Sequence, residues 1–315
     1  MTPGLKDSTV NLPDFICIGA QKAGTSWLYE VLNEHPDIWL SPIKELHFFD
    51  RVGRTSGFVQ RNELIVAKRL RWAEGWRRKG LRGYYTLLKQ IVFGRYNRHD
   101  RPEARHEKQA YTTYLRTLAS FGAPTEAWYS HVFSWPVPEG TLKGEITPGY
   151  LELDEAKVSY ARKLLGEKKI LLIVRSPLDR ELSQIRMYHQ AAEKTGTQPR
   201  TSQEWMAFYD AMVTRFARGS YSEGIPRWQR HFGADNIKIM PFGDIRDNPK
   251  SMIAAVETFL GISHFDGYRL LESKVHKTKK VEIPPEVVTK VKDKVAEEDT
   301  YIRSTFGDEF FRKSR

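Results

Sequence analysis

The stretch IGAQKAGTSW at 18–27 sets Gly19 and Gly24 at the spacing found in loops that cradle phosphate groups. In the triphosphate-binding form of such loops a lysine follows the second glycine. Here Thr25 stands at that place, and the lysine is Lys22, two residues before Gly24. Lys22, Ala23, Gly24, Thr25 and Ser26 together offer a full charge, backbone N–H groups and two hydroxyls to an anion. A tight strand-to-helix turn also uses glycines, so this loop alone leaves both readings open. A second stretch, RSPLDRELS at 175–183, places Arg175 just after an apolar run and Ser183 about two helical turns later. An arginine and a serine so placed could hold a second anionic group by charge-assisted and hydroxyl hydrogen bonds. Read alone, they fit equally well an arginine at a strand end and a serine on a helix surface.

The elements that must position these residues follow from hydrophobic patterning. FICIGA (15–20), KKILLIVR (168–175) and NIKIMPF (236–242) are short apolar runs of the kind buried in a parallel sheet. TSWLYEVLNEH (25–35) reads as a helix with Trp27, Leu28, Val31 and Leu32 on one face and Pro36 beyond its end. Pro177 suits the first turn of a helix that continues through LDRELSQIRMYHQAA. Further helices are expected near 249–260 and from Pro285 onward. Strands alternating with helices imply an α/β, three-layer fold around a central parallel sheet, with Arg175 at a strand's carboxyl end, where such sheets bind ligands.

The chain of 315 residues is expected to form a single domain. Its net charge of +11 is concentrated in residues 51–125, where 17 Lys/Arg face five Asp/Glu, so the excess belongs to one segment. Arg, Lys, Trp and Tyr interleave there, and 61–120 breaks the strand–helix rhythm. We read 51–125 as a basic helical insertion, suited either to contact with an anionic membrane or polymer or simply to a solvated face. Nucleic acid is not the expected partner. Cys17 is the single cysteine, so no intrachain disulfide can form. The first 14 residues lack a secretory apolar region, and no apolar run approaches the roughly 18 residues of a spanning helix. The expected location is cytoplasmic, with peripheral membrane contact through 51–125. Among His35, His99, His106 and His189 no metal-ligand spacing is seen.

Two anion sites on one sheet suggest a nucleotide bearing anionic groups at both its 5′ and 3′ positions. That describes 3′-phosphoadenosine 5′-phosphosulfate (PAPS). On these motifs the chain resembles the PAPS-dependent sulfotransferases, in the branch with heparan sulfate and bacterial carbohydrate enzymes, whose fold is of the P-loop-containing type. Lys22, Gly24, Thr25 and Ser26 match that family's 5′-phosphosulfate loop. Arg175, Pro177, Arg180 and Ser183 match its 3′-phosphate motif RxPxxRxxS, and Trp27 stands where soluble members stack a tryptophan on adenine. The resemblance covers about 14–50 and 126–310.

It also implies a chemistry. Sulfuryl transfer requires an acceptor hydroxyl to lose a proton and a departing phosphate to be stabilised. KELHFFD (44–50) is similar to an element of glucosaminyl 3-O-sulfotransferases in which the glutamate is the general base. The match implies Glu45 as base, His47 as its neighbour, Asp50 as a second carboxylate and Lys22 at the leaving group. A strand edge with Leu46 and Phe48 inward and Glu45 and His47 exposed is the competing reading of that stretch. GEITPGYL (144–151) resembles another family element, with Thr147 and Tyr150 as acceptor contacts. Two cations of heparan-type enzymes are missing: Ile146 replaces a lysine, and Ser26 replaces an arginine. Lys277, Lys279 and Lys280 fall where the family has a basic loop over the nucleotide.

The expected acceptor is a carbohydrate or glycolipid hydroxyl, with PAPS as co-substrate and no metal, since sulfuryl oxygens carry less charge than phosphoryl oxygens. Two other classes stay open. A P-loop kinase or NTPase would want a lysine at position 25 and an aspartate for Mg²⁺. A non-catalytic binder of anionic polymer or membrane would use the basic segment and have no need of Glu45.

Overall fold

A computed structural model describes residues 10–52, 54, 57–58, 105–215, 220–273 and 281–315. Most of the expected insertion, and Lys277, Lys279 and Lys280, therefore lie outside the described residues. The chain groups into two compact units, each best taken by itself. Among the described residues five strands run in the order β2-β3-β1-β4-β5, and the register is parallel for β2 with β3 and for β4 with β5. An α/β fold with a central parallel sheet is thus what the chain forms.

The first unit comprises 1–16, 29–146 and 265–270. It holds the start of β1 (Phe15–Gly19), the end of α1 (Thr25–Leu32), β2 (Ile38–Leu40), α2 (Arg105–Ser120), α3 (Glu126–Val132) and β3 (Leu142–Ile146). Its strands approach closely because Gly144 has no side chain. A Cβ there would lie 2.3 Å from Cζ of Phe15 and 2.7 Å from Cδ2 of Leu40. After α1 the chain tightens to three-residue turns, with Glu34 and His35 donating to the carbonyls of Val31 and Leu32. The helix consequently stops at Leu32, three residues short of the expected end.

The second unit comprises 17–28, 147–264 and 271–315. It contains the rest of β1, the start of α1, a 3₁₀ turn at Pro148–Glu152 and α4 (Glu155–Leu165). β4 (Lys169–Val174), α5 (Pro177–Thr195), α6 (Ser202–Arg215) and α7 (Tyr221–Phe232) follow. β5 (Ile237–Pro241), α8 (Asp244–Asp247), α9 (Pro249–Leu260) and α10 (Pro285–Lys313) complete it. β1 is buried along its whole length and β4 along all but its first residue, as their continuous apolar runs require. Ile185, Trp205, Tyr209, Met212, Val287 and Val291 form a core shared by α5, α6 and α10. α10 breaks at Gly307, whose φ of 85° and ψ of 163° are not helical. Residues 308–315 then pack back, with Ser176 donating to the carbonyl of Ser314 and Gly243 to that of Lys313.

Candidate active site

The anion loop links the end of β1 to α1. Ala23 N–H closes a turn onto the Ala20 carbonyl at 3.1 Å, and Leu28 N–H donates to the Gly24 carbonyl. Gly24 has a φ of +85°, and a Cβ on it would lie 2.3 Å from Ile245 Cδ1 and 3.2 Å from the Phe242 ring. Both conditions demand glycine. Ala23 and Thr25 are buried, whereas Lys22 and Ser26 are half-buried. The ammonium of Lys22 lies 3.7 Å from Met187 Sδ on α5, a weak contact.

Arg175 follows the last residue of β4, and Ser176 caps α5 by accepting from Asp179 N–H, with Pro177 in the first turn. The Arg175 guanidinium donates through Nη1 to the carbonyl of Lys22 at 2.9 Å and lies 4.4 Å over the Phe242 ring. The two anion motifs, 153 residues apart in sequence, therefore meet. Arg175 Nε is buried without a hydrogen-bond partner among the described residues. Burial also draws the pKa of this guanidinium below the ordinary arginine value. An anion received there would satisfy an orphaned donor and compensate a desolvated cation. Ser183 is buried farther along α5, and buried Arg180 sets its guanidinium 4.5 Å over the Tyr221 ring.

Trp27 is only 3% exposed, and its indole N–H donates to the Leu271 carbonyl at 3.0 Å. The ring packs among the buried apolar residues, and its hydrogen bond fixes its orientation.

KELHFFD follows β2 in the other unit, and it forms a loop rather than a strand edge. Ser41 N–H donates to the Gly144 carbonyl and Glu45 N–H to that of Ile146, which pins the entry to the segment along β3. Leu46, Phe48 and Phe49 are buried, with Phe48 stacked 4.3 Å from Tyr129. Glu45 and His47 stay half-buried. The alternation expected of a strand is produced instead by left-handed backbone at Glu45 (φ 60°) and His47 (φ 54°).

His47 Nδ1 lies 2.7 Å from Asp50 Oδ2, and its Nε2 lies 3.7 Å from Glu45 Oε2. The other oxygen of Glu45 takes a 2.9 Å ion pair from Lys44. His47 acts most strongly on Glu45, burial opposes it and Lys44 reinforces it, so that the carboxyl is held down to about 2. For Asp50 burial works against the charge, but the His47 contact prevails and keeps its pKa below the usual value. An ionised Asp50 can only accept, so Nδ1 of His47 carries the shared proton. Lys44, a direct partner of Glu45, was not singled out from sequence, although its adjacency to a candidate base was a usable signal.

Lys22, with a φ of 65°, joins Glu45 and His47 as the three non-glycine residues of positive φ among the described residues. Each such conformation costs roughly 1 kcal/mol or more, and they concentrate at functional sites. The same three residues carry the catalytic roles implied by the sequence resemblance. By contrast, Thr147 and Tyr150 are fully buried, and the Tyr150 carbonyl accepts from Trp228 Nε1 at 3.0 Å. They belong to the scaffold, not to an acceptor surface. Ile146 is buried in β3, beside a buried Glu145 that accepts from the Tyr129 hydroxyl at 2.6 Å. Among the described residues there is no cluster of three metal-ligating side chains, and no helix is long and apolar enough to cross a membrane.

Comparison with known proteins bears on the fold and the family. A crystal structure of a sulfotransferase from Alicyclobacillus acidocaldarius superposes with a TM-score of 0.58 at 20% identity, covering 96% of this chain and 99% of that one. The bifunctional heparan sulfate N-deacetylase/N-sulfotransferase 1 of Xenopus laevis is 28% identical over 156 residues, 45% of this chain. The match spans only 17% of that relative's length. The family model described as the sulfotransferase domain matches residues 12–304, nearly the whole chain, and the protein therefore belongs to the sulfotransferase domain family.

Proposed function

We propose that the protein transfers a sulfuryl group from PAPS to a hydroxyl of a carbohydrate or glycolipid. The observation that carries this reading is the 2.9 Å bond from Arg175 to the Lys22 carbonyl, which joins a 5′-type anion loop to a second cationic site. In this reading the loop from Lys22 to Ser26 receives the 5′ phosphosulfate, and Lys22 stabilises the charge left on the phosphate. Arg175 and Ser183 receive the 3′-phosphate, the guanidinium with its orphaned Nε turned to that use. PAPS supplies the activated sulfuryl group: its S–O bond to the phosphate breaks as one to the acceptor oxygen forms.

Glu45 takes the acceptor proton. Its carboxyl, held down to about 2, is ionised across the working range but is a weak base while Lys44 and His47 hold it. Acceptor binding that draws Lys44 away would raise its basicity at the moment of need. His47 orients Glu45, and Asp50 orients His47 by the 2.7 Å contact. The name of the Xenopus relative supports a carbohydrate acceptor, while Ile146 and Ser26 argue against one that needs the heparan-type cations.

Donor binding tests the reading at its base. Titration calorimetry should give tighter binding of adenosine 3′,5′-bisphosphate than of ATP with Mg²⁺. Tighter ATP–Mg²⁺ binding would move the protein to the nucleotide kinase or NTPase class.

A further inference from the structure

Arg175 lies between two regular elements and in neither, since β4 ends at Val174 and Ser176 caps α5. Its backbone must be fixed from elsewhere, and a single hydroxyl does so. Tyr221 Oη accepts from Arg175 N–H at 3.2 Å and donates to the Arg175 carbonyl at 3.1 Å. Tyr221 is completely buried in the first turn of α7, and the Arg180 guanidinium covers its ring. Behind it stands Glu298 of α10. One carboxylate oxygen accepts from Tyr221 N–H at 2.6 Å and from Ser222 N–H at 3.3 Å, and the other accepts from the Ser222 hydroxyl. The carboxylate thus caps the start of α7 and fixes the tyrosine in depth.

We propose that Tyr221, held by Glu298, is a positioning residue for the second anion site. By gripping both backbone groups of Arg175, it sets the direction in which the guanidinium leaves the end of β4. Through it Glu298 of the C-terminal helix is linked to the backbone of Arg175. The proposal rests on the reading that Arg175 receives the 3′-phosphate of the donor. Simple scaffolding is a different role, because a scaffold residue would affect all nucleotides alike.

The test compares adenosine 3′,5′-bisphosphate with adenosine 5′-monophosphate, which lacks only the 3′-phosphate. Calorimetry on the full chain yields the affinity ratio of the two for the wild type, Tyr221→Phe, Glu298→Gln and Arg175→Ala. Tyr221→Phe should shrink the ratio by about fivefold to twentyfold, with monophosphate affinity held within about twofold. Glu298→Gln keeps the hydroxyl and should shrink it by about twofold to fivefold. Equal weakening of both ligands, or an unchanged ratio, would overturn the proposal. Should Tyr221→Phe fail to fold, the Glu298→Gln ratio decides, and no change there would overturn it. If Arg175→Ala abolishes the ratio and Tyr221→Phe preserves it, the positioning role alone falls. Absence of any wild-type preference for the bisphosphate would remove the donor reading and this proposal together.

Discussion

Gly24→Ala probes the anion loop through two separable effects. The backbone there has a φ of +85°, which costs an alanine roughly 1–2 kcal/mol. The new methyl would also lie 2.3 Å from Ile245 Cδ1 and 3.2 Å from the Phe242 ring. Relieving that overlap should cost about 1–3 kcal/mol, because the aromatic ring yields less readily than the isoleucine terminus. The variant should therefore lose about 2–5 kcal/mol in urea unfolding. It should also bind adenosine 3′,5′-bisphosphate more weakly, since Phe242 in turn supports Arg175. Ile245→Val deletes only the δ-methyl and separates the two effects. In that background the Gly24→Ala penalty should fall toward the backbone cost alone, with a coupling of at least ~0.5 kcal/mol in the double-mutant cycle. A Gly24→Ala protein of wild-type stability, or a penalty indifferent to Ile245→Val, would refute the reasoning.

Three further substitutions test other contacts. The folded pKa of Glu45, about 2 against an ordinary 4.5, gives stability that is full above pH ~4.5 and lost as pH falls toward 2. Because that side chain is partly exposed, solvent screening limits the contribution to ~1 kcal/mol or less; Lys44→Met should reduce the acid-dependent loss in urea unfolding between pH 5 and 3, and an unaltered profile would exclude Lys44 from the pair. Gly144→Ala would set a methyl 2.3 Å from the buried Phe15 ring and should cost at least ~2 kcal/mol in thermal unfolding, so a neutral result would contradict the strand packing. Trp27→Phe leaves the Leu271 carbonyl without its 3.0 Å donor and should destabilise by about 1–3 kcal/mol in chemical denaturation.

β1, β4 and β5 were legible because strands of a parallel sheet read as unbroken apolar runs. β2 has three residues, too few for any period to declare itself. β3 carries Lys143, Gly144 and Glu145, and a carboxylate in a buried strand finds the Tyr129 hydroxyl, a partner 16 residues away in sequence. α7 contains Gly224 and Pro226, both helix-breaking signals. The glycine is required because a Cβ would lie 2.7 Å from the Leu151 carbonyl oxygen. At the site, residue types and motif spacing pointed to Lys22 and Arg175, and the family resemblance to Glu45. They did not show that Arg175 would hold the Lys22 carbonyl, since a backbone acceptor leaves no trace in side-chain identity. The left-handed backbone at Lys22, Glu45 and His47 was equally hidden, because glycine is the usual sequence marker of that conformation. The motif position of Trp27 could not show its burial or the hydrogen bond from its indole N–H to the Leu271 carbonyl.

The central claim is sulfuryl transfer with Glu45 as the base, and one assay addresses it. Wild-type protein and Glu45→Gln are incubated with ³⁵S-labelled PAPS and a panel of glycans, glycolipids, phenols and alcohols, with donor affinity measured in parallel. The account predicts labelled sulfate ester on a carbohydrate or glycolipid with the wild type. It predicts a fall of about 10²–10⁴-fold in turnover for Glu45→Gln at unchanged donor affinity. No labelled product from any acceptor, or full turnover by Glu45→Gln, would contradict it.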